Sequence, residues 1–98
     1  MSETPAQPDG TALSVRQARI KRLIYRASYT GMKETDLLLG QFATRYLPDL
    51  SDDDLDMFEA VLDEGDPKIL AWVQGDEPIP PAFQSRVMDM IKSFKIKN

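Results

Sequence analysis

The sequence contains neither cysteine nor histidine. Their absence excludes disulfide bonds, thiolate nucleophiles, imidazole bases and the usual zinc and haem ligands. With only 98 residues, the chain suits a single domain whose core is too small to enclose a deep active site of its own. We therefore expect that the protein is not an enzyme.

Long apolar runs are missing as well. No segment approaches the roughly 20 residues that a membrane-spanning helix requires. The first ten residues carry Glu3 and Asp9 together with two prolines, and this pattern resembles neither a signal peptide nor a transit peptide. The lack of cysteine fits a reducing compartment. We expect a soluble protein of the bacterial cytoplasm that makes no contact with a membrane.

Apolar residues recur at helical spacing in five segments, and no strand pattern or internal repeat competes with them. Residues 1–13 are polar, contain proline and glycine, and lack this period. They predict a disordered tail ahead of a single helical domain of residues 14–98. The predicted fold is all-α, a small five-helix bundle. Its first two helices should pack antiparallel because their connection is short.

Capping residues and glycines mark the predicted helix boundaries. Ser14 caps the first helix and Gly31 ends it, whereas Ser51 opens the third helix, and Asp66 before Pro67 reads as the cap of the fourth. The fifth helix follows a stiff proline-rich segment. The predicted core residues are Ile20, Leu23, Ile24, Ala27, Leu38, Leu39, Phe42, Leu55, Phe58, Val61, Leu62, Ile69, Leu70, Trp72, Val73, Phe83, Val87, Met90, Ile91 and Phe94.

Charge is distributed unevenly along the chain. The third helix is acidic, and the first helix is basic through Arg16, Arg19, Lys21, Arg22 and Arg26. The net charge is nevertheless −4, and neither a recognition motif nor stacking aromatics accompany the arginines, so we expect no nucleic-acid partner. A solvated face and a docking face for an acidic protein both remain open.

The acidic segment has a spacing that resembles a calcium-binding loop. Asp52, Asp54 and Asp56 stand at alternate positions, as the first ligands of such a loop do. Met57 stands where the loop needs glycine, and Asp63 stands where it needs a bidentate glutamate. Helical periodicity runs through the same residues, so we interpret them as a capped acidic helix.

The turn between the first two helices holds Gly31 and, within one helical turn, Glu34. Glycine lets the chain reverse where other residues are strained. Glu34 stands at an exposed helix start, where it either helps to cap the second helix or contacts a partner. The pattern alone leaves both roles open.

Two ordered blocks of sequence carry a resemblance to a known family. The blocks are Tyr25-Arg26-Ala27-Ser28-Tyr29-Thr30-Gly31-Met32-Lys33-Glu34-Thr35-Asp36-Leu37, and then Leu50-Ser51-Asp52-Asp53 followed by Phe58, Asp66-Pro67, Leu70 and Trp72. In spacing and order they resemble the succinate dehydrogenase assembly factor family, small five-helix proteins that promote covalent flavin attachment. The likeness extends from about Arg19 to Trp72.

The hallmark of that family is Arg-Gly-x-x-Glu at the first interhelical turn, where it contacts the flavoprotein subunit. Gly31 and Glu34 match the motif, and Thr30 replaces its arginine. Threonine lacks the planar, permanently charged fork of arginine, so a bidentate contact is lost at this position. Arg26 and Lys33 supply positive charge nearby, though not with the same geometry.

The resemblance implies a chaperone-like role. The protein would bind the FAD-loaded flavoprotein subunit of succinate dehydrogenase or fumarate reductase and favour the arrangement in which a histidine of that subunit bonds the flavin. FAD would then belong to the partner, and this chain, a monomer, would bind no cofactor stably. The residues with an implied partner-binding role are Thr30, Gly31 and Glu34, with Arg19, Arg22 and Arg26 for steering and docking.

An alternative hypothesis assumes the same fold and a different partner. A helical adaptor or an antitoxin-like regulator would use the same surface to bind a different protein and would have no role in flavinylation.

Overall fold

A computed structural model describes the backbone of residues 8–97 and the side chains of residues 14–97. This part of the chain forms five α-helices and two short 3-10 turns, with no strand among the described residues. The helices are α1 (Pro8–Ser28), α2 (Lys33–Tyr46), α3 (Asp52–Asp63), α4 (Asp66–Gln74) and α5 (Arg86–Ser93). The predicted all-α fold with five helices is confirmed.

Helix α1 begins at Pro8, before the predicted capping residue Ser14. Proline is well tolerated in the first turn of a helix, because the N–H that it lacks has no intrahelical partner there. Residues 1–7 of the predicted tail lie outside the described residues. The division into a tail of residues 1–13 and a domain of residues 14–98 stays a prediction.

Serine side chains cap the starts of α3 and α5. Ser51 Oγ accepts a hydrogen bond from the Asp54 backbone N at 3.1 Å, as the sequence predicts. Ser85 Oγ accepts from the Met88 backbone N at the same distance, 3.1 Å, and thereby starts α5 later than predicted.

The fifth helix is shorter than the sequence predicts. Phe83, predicted inside the fifth helix, lies in a 3-10 turn (Pro81–Phe83), and Phe94 follows the last helical residue. Both rings still pack against the core. The apolar spacing therefore continues beyond the helix, because irregular segments at both of its ends also turn side chains inward.

Helices α1 and α2 form an antiparallel hairpin, as predicted. Ser28 near the end of α1 lies against Gly40 of α2, whereas Arg16 early in α1 donates to the Leu50 carbonyl beyond α2. A Cβ at Gly40 would lie 2.7 Å from Ser28 Oγ and 3.2 Å from its Cα, so glycine allows this close approach of the two helices.

One apolar cluster joins all five helices. The Phe42 and Phe58 rings stack with centroids 5.8 Å apart, and Trp72 packs against Phe83 at 5.1 Å. Trp72 is 2% exposed, which confirms its interpretation as a core residue. Met88 is fully buried although the sequence analysis omits it. None of the described helices combines the length and the apolar character needed to cross a membrane.

Candidate partner-binding site

Residues 29–32 connect α1 to α2, and we call them the hairpin corner. Gly31 has a φ of +124°, a conformation that residues with a Cβ rarely adopt. A Cβ at Gly31 would also lie 3.4 Å from Asp66 Oδ2. The backbone thus confirms that Gly31 allows the chain to reverse here.

Asp36, in the first turn of α2, closes the hairpin corner from one side. Its Oδ1 accepts hydrogen bonds from Thr30 Oγ1 at 2.5 Å, from the Thr30 backbone N at 2.6 Å and from the Gly31 backbone N at 3.3 Å. These bonds, above all the one from the Thr30 hydroxyl, hold the pKa of Asp36 below its ordinary value of 3.8. Thr30 is therefore an internal partner of Asp36.

Asp66 holds the corner from the other side. It is the first residue of α4, it is 8% exposed, and its Oδ2 accepts a hydrogen bond from the Met32 backbone N at 2.8 Å. The prediction that Asp66 caps α4 is wrong, because Gly65 occupies the N-cap position and the carboxylate reaches across to the corner. Two carboxylates from different helices thus fix this short connection.

The Glu34 side chain is exposed in the first turn of α2 and makes no hydrogen bond or ion pair with the residues that the structure describes. In a capping box, the glutamate that accepts from the N-cap N–H is the third helical residue, whereas Glu34 is the second residue of α2 after the N-cap residue Met32. The Met32 N–H donates to Asp66 instead. The structure therefore does not support the capping role, and the Glu34 carboxylate faces solvent beside a fixed corner.

The predicted docking arginines fall into two groups. Arg19 Nη2 lies 2.6 Å from Asp56 Oδ1 and 3.1 Å from Glu59 Oε1, and Arg26 Nη2 pairs with Asp63. The opposite charges of α1 and α3 are thus matched within the molecule.

Arg22 differs from these two. It is exposed, and within residues 14–97 it forms no ion pair. Of the three predicted docking arginines, it has the guanidinium that is least engaged inside the described fold. Arg19 and Arg26 have to exchange or share their α3 carboxylates before they contact a partner.

Comparison with known proteins adds a decisive observation. Residues 21–95 match the family described as "Flavinator of succinate dehydrogenase". The chain belongs to this flavinator family. The predicted resemblance is confirmed, and the matched range includes the hairpin corner, Glu34 and Asp66. The family description names a flavinator and the relatives below are named assembly factors, in line with the prediction that the chain is not an enzyme.

Three relatives illustrate the match, and each is named succinate dehydrogenase assembly factor 2, mitochondrial. The chain is 41% identical over 78 residues to the protein of Mycosarcoma maydis, 36% over 87 residues to that of Danio rerio and 34% over 82 residues to that of Drosophila grimshawi. The alignments cover 80%, 87% and 82% of this chain but 33%, 53% and 55% of the relatives. The chain thus spans about half, or less, of the length of these relatives.

The aspartates of α3 that resemble a calcium loop lie in a helix of this flavinator-family fold, as the sequence predicts. Each faces a different arginine: the pairs are Asp52 with Arg16, Asp54 with Arg86 and Asp56 with Arg19. The hydrogen bond from Arg86 also holds the pKa of Asp54 below its ordinary value. The acidic face of α3 is therefore an ion-pairing face.

The roles of two aspartates, Asp36 and Asp66, in fixing the corner are not predicted from the sequence. Asp36 offers a local signal, because aspartate a few residues after a turn commonly accepts from the backbone of that turn. Asp66 offers none, because it lies 34 residues from its partner Met32 and its Asp-Pro pair favours a purely local cap.

The lowered pKa of Asp36 leads to a prediction about pH. A carboxylate with a lower pKa in the folded than in the unfolded protein stabilises the fold above the unfolded value, and this contribution is lost as pH falls through the folded pKa. We expect the stability difference between wild type and Asp36→Asn to be greatest near neutral pH and to disappear well below 3.8. Urea unfolding of both proteins across this range measures the difference.

Asp76→Asn is the control for this experiment, because Asp76 is exposed in the segment after α4. The stability difference between Asp76→Asn and wild type is the baseline against which the pH dependence for Asp36→Asn is compared. A difference for Asp36→Asn that stays constant down to acid pH would contradict the assigned role of the carboxylate.

Proposed function

We propose that this protein binds the flavoprotein subunit of succinate dehydrogenase or fumarate reductase and promotes covalent attachment of FAD to that subunit. The observation that carries the proposal is an exposed Glu34, without an ion-pair partner among the described residues, beside a fixed hairpin corner in a chain of the flavinator family. The names of the relatives, succinate dehydrogenase assembly factor 2, support the same partner.

The corner is organised before any partner arrives. Asp36 and Asp66 hold the backbone at Thr30, Gly31 and Met32. Docking on such a surface loses less conformational entropy than docking on a loose loop. Gly31 has no side chain to keep a partner backbone away, and Glu34 presents a carboxylate one helical turn further on. This arrangement suits recognition of one conformation of another protein.

The chemistry of flavin attachment lies with the partner in this proposal. FAD bound to the flavoprotein subunit supplies the reactive ring, and a histidine of that subunit supplies the bond-forming nitrogen. This chain has no histidine to act as the acceptor. Its own part is differential binding: it stabilises the partner conformation in which the ring and the histidine meet. We propose that it holds no cofactor stably.

The surroundings of the protein are part of the same proposal. We propose that the protein is a monomer. We also propose that it lies in the bacterial cytoplasm, because the cysteine-free sequence fits a reducing compartment. The relatives above carry the names of mitochondrial proteins. We propose no nucleic-acid partner, since Arg16, Arg19 and Arg26 pair with α3 and leave little positive surface for phosphates.

Co-expression tests the proposed function. The flavoprotein subunit is produced with and without this chain, and covalent flavin is read as fluorescence of the denatured subunit in a gel. We expect strong fluorescence only when the chain is present. A flavoprotein subunit whose acceptor histidine is replaced by alanine gives the background signal. Equal fluorescence with and without the chain would overturn the proposal.

Thr30→Arg, which restores the family arginine, is expected to tighten binding to the flavoprotein subunit. The guanidinium offers several N–H donors, so one can replace the Thr30 hydroxyl at Asp36 while others reach a partner carboxylate or carbonyl. One added charge-assisted hydrogen bond of about 1.5 kcal/mol corresponds to roughly tenfold in Kd. Isothermal titration calorimetry with the purified subunit measures this change.

Thr30→Lys is the matched control, because lysine has the same charge without the planar fork. Its affinity should lie between those of wild type and Thr30→Arg. Equal gains for both variants would mean that charge alone matters at this position. No gain for Thr30→Arg would mean that residue 30 serves only the internal contact with Asp36.

A further inference from the structure

Apolar side chains that the core does not use lie beside the hairpin corner. Among the residues whose burial the structure describes, the large apolar side chains that are exposed are Val15, Tyr25, Tyr29, Leu37 and Ile96. Tyr25 and Tyr29 are 69% and 70% exposed, and Leu37 is 39% exposed. These three residues, which we call the tyrosine patch, lie at the end of α1 and the beginning of α2.

The tyrosine patch is continuous with the corner. Tyr25 lies in the last turn of α1 and Tyr29 is the first residue of the corner, and the centroids of their rings are 4.8 Å apart. Tyr29 directly precedes Thr30, and Leu37 follows Glu34 by three residues, so Leu37 and Glu34 share one side of α2. A partner that contacts Glu34 therefore has the patch within reach.

A groove of about 670 Å³ extends this surface along α2. Tyr29 and Leu37 line it together with Arg45 and Phe94. The wall formed by the C-terminal segment is fixed, because Gln41 Nε2 donates to the Lys97 carbonyl and Gln41 Oε1 accepts from the Lys97 backbone N, both at 2.7 Å.

The charged and the apolar side chains of the groove indicate which kind of protein segment can bind there. Its cations are Arg45 and Lys97, and its carboxylate, Asp36, is occupied by Thr30 and Gly31. The groove therefore attracts a carboxylate more than a cation. Exposed tyrosines contribute large contact areas at a low cost in side-chain entropy and are enriched in protein interfaces. The combination fits a protein segment with both apolar and acidic side chains.

We propose that the tyrosine patch and the groove form a second part of the docking surface for the flavoprotein subunit, beside Glu34 and the corner. The subunit inserts an apolar side chain between Tyr29 and Leu37 and places a carboxylate near Arg45. The inference rests on the proposed function and extends it to residues outside the family hallmark. In this proposal, the contact area on the tyrosine patch compensates for the partner contact that an arginine guanidinium would make in place of Thr30.

Titration calorimetry with the purified flavoprotein subunit tests the proposal. We expect Tyr29→Ala and Leu37→Ala each to weaken binding by about fivefold or more, the range in which interface side chains of this size act. Tyr29→Phe keeps the ring and should stay within about twofold of wild type. Arg45→Ala should also weaken binding, and more so at low salt, because its contact with a carboxylate is electrostatic.

Val15→Ala is the matched control. Val15 is 63% exposed on the same helix as Tyr25, about 15 Å away along the helix axis. Its replacement should leave the affinity unchanged. Circular dichroism and urea unfolding of each variant confirm that the fold is intact, which is expected because the patch side chains are exposed.

The outcomes separate this inference from the proposed function. If wild type does not bind the subunit, the proposed function fails. If Glu34→Ala weakens binding while Tyr29→Ala and Leu37→Ala bind like wild type, the proposed function stands and the patch inference is overturned. If analytical ultracentrifugation shows wild-type dimers that Tyr29→Ala abolishes, and affinity for the subunit is unchanged, the patch joins two copies of this chain instead.

Discussion

In the co-expression assay, Glu34→Ala is expected to lower covalent flavin on the flavoprotein subunit by at least about tenfold at limiting amounts of the protein. Hydrogen bonds to charged groups contribute about 1.5–3 kcal/mol, and 1.4 kcal/mol is already a factor of ten in binding. The Glu34 side chain has no hydrogen-bonding or ion-pairing partner among the described residues, so its truncation should leave the fold intact. In-gel fluorescence and thermal unfolding of the variant measure the two effects separately.

Two further variants show whether the effect belongs to the Glu34 carboxylate. Glu34→Gln keeps the size and the hydrogen-bonding oxygen and removes the charge, so partial activity would indicate a hydrogen bond and full loss an ion pair. Glu77, which follows α4, is an exposed glutamate that pairs with Lys68 of that helix. Glu77→Ala should leave flavin attachment unchanged. Wild-type fluorescence with Glu34→Ala would rule out the corner as the working surface.

Most of the helices are predictable from the sequence because their signals are local. The cap at Ser51 and the apolar period of α3 lie within a few residues of each other, and both are observed as predicted. The start of α5 is not predicted, because Phe83 and Phe94 keep a helical spacing outside the helix. Burial of side chains sets that spacing, and irregular backbone next to a helix also buries side chains.

The candidate site also contains residues that the sequence predicts and a contact that it does not predict. Gly31 and Glu34 are recognisable from the sequence because a turn glycine and a helix-start glutamate have local signatures. The contact of Asp66 with Met32 is not, because it joins α4 to a turn 34 residues earlier in the chain. Only the three-dimensional structure shows which carboxylate accepts a hydrogen bond from which backbone N–H.

The arginines of α1 show the same limit of sequence analysis. The sequence gives the sign and the position of Arg19 and Arg26, and it leaves a solvated face and a docking face open. The structure shows a third arrangement, ion pairs with Asp56, Glu59 and Asp63 of α3. Complementary charge on two helices is visible in a sequence, whereas the packing that brings those helices side by side is not.

Asp66→Ala is expected to destabilise the fold by about 2 kcal/mol and to reduce flavin attachment as well. The substitution leaves the Met32 N–H without its acceptor in a partly buried position, which costs roughly 1–3 kcal/mol, and removes a negative charge from the start of α4. For a domain of this size, about 2 kcal/mol lowers Tm by roughly 10 °C. Thermal and urea unfolding measure this change.

Asp66→Asn separates the hydrogen bond from the charge. Asparagine keeps an oxygen that accepts from Met32 N, so most of the stability and a well-held corner should return, while the helix-dipole contribution of the charge is lost. If the corner acts through its fixed geometry, flavin attachment at a temperature where both variants are folded should be higher with Asp66→Asn than with Asp66→Ala. Equal attachment by the two variants would mean that Glu34 works without the support of α4, since only Asp66→Ala frees the backbone next to it.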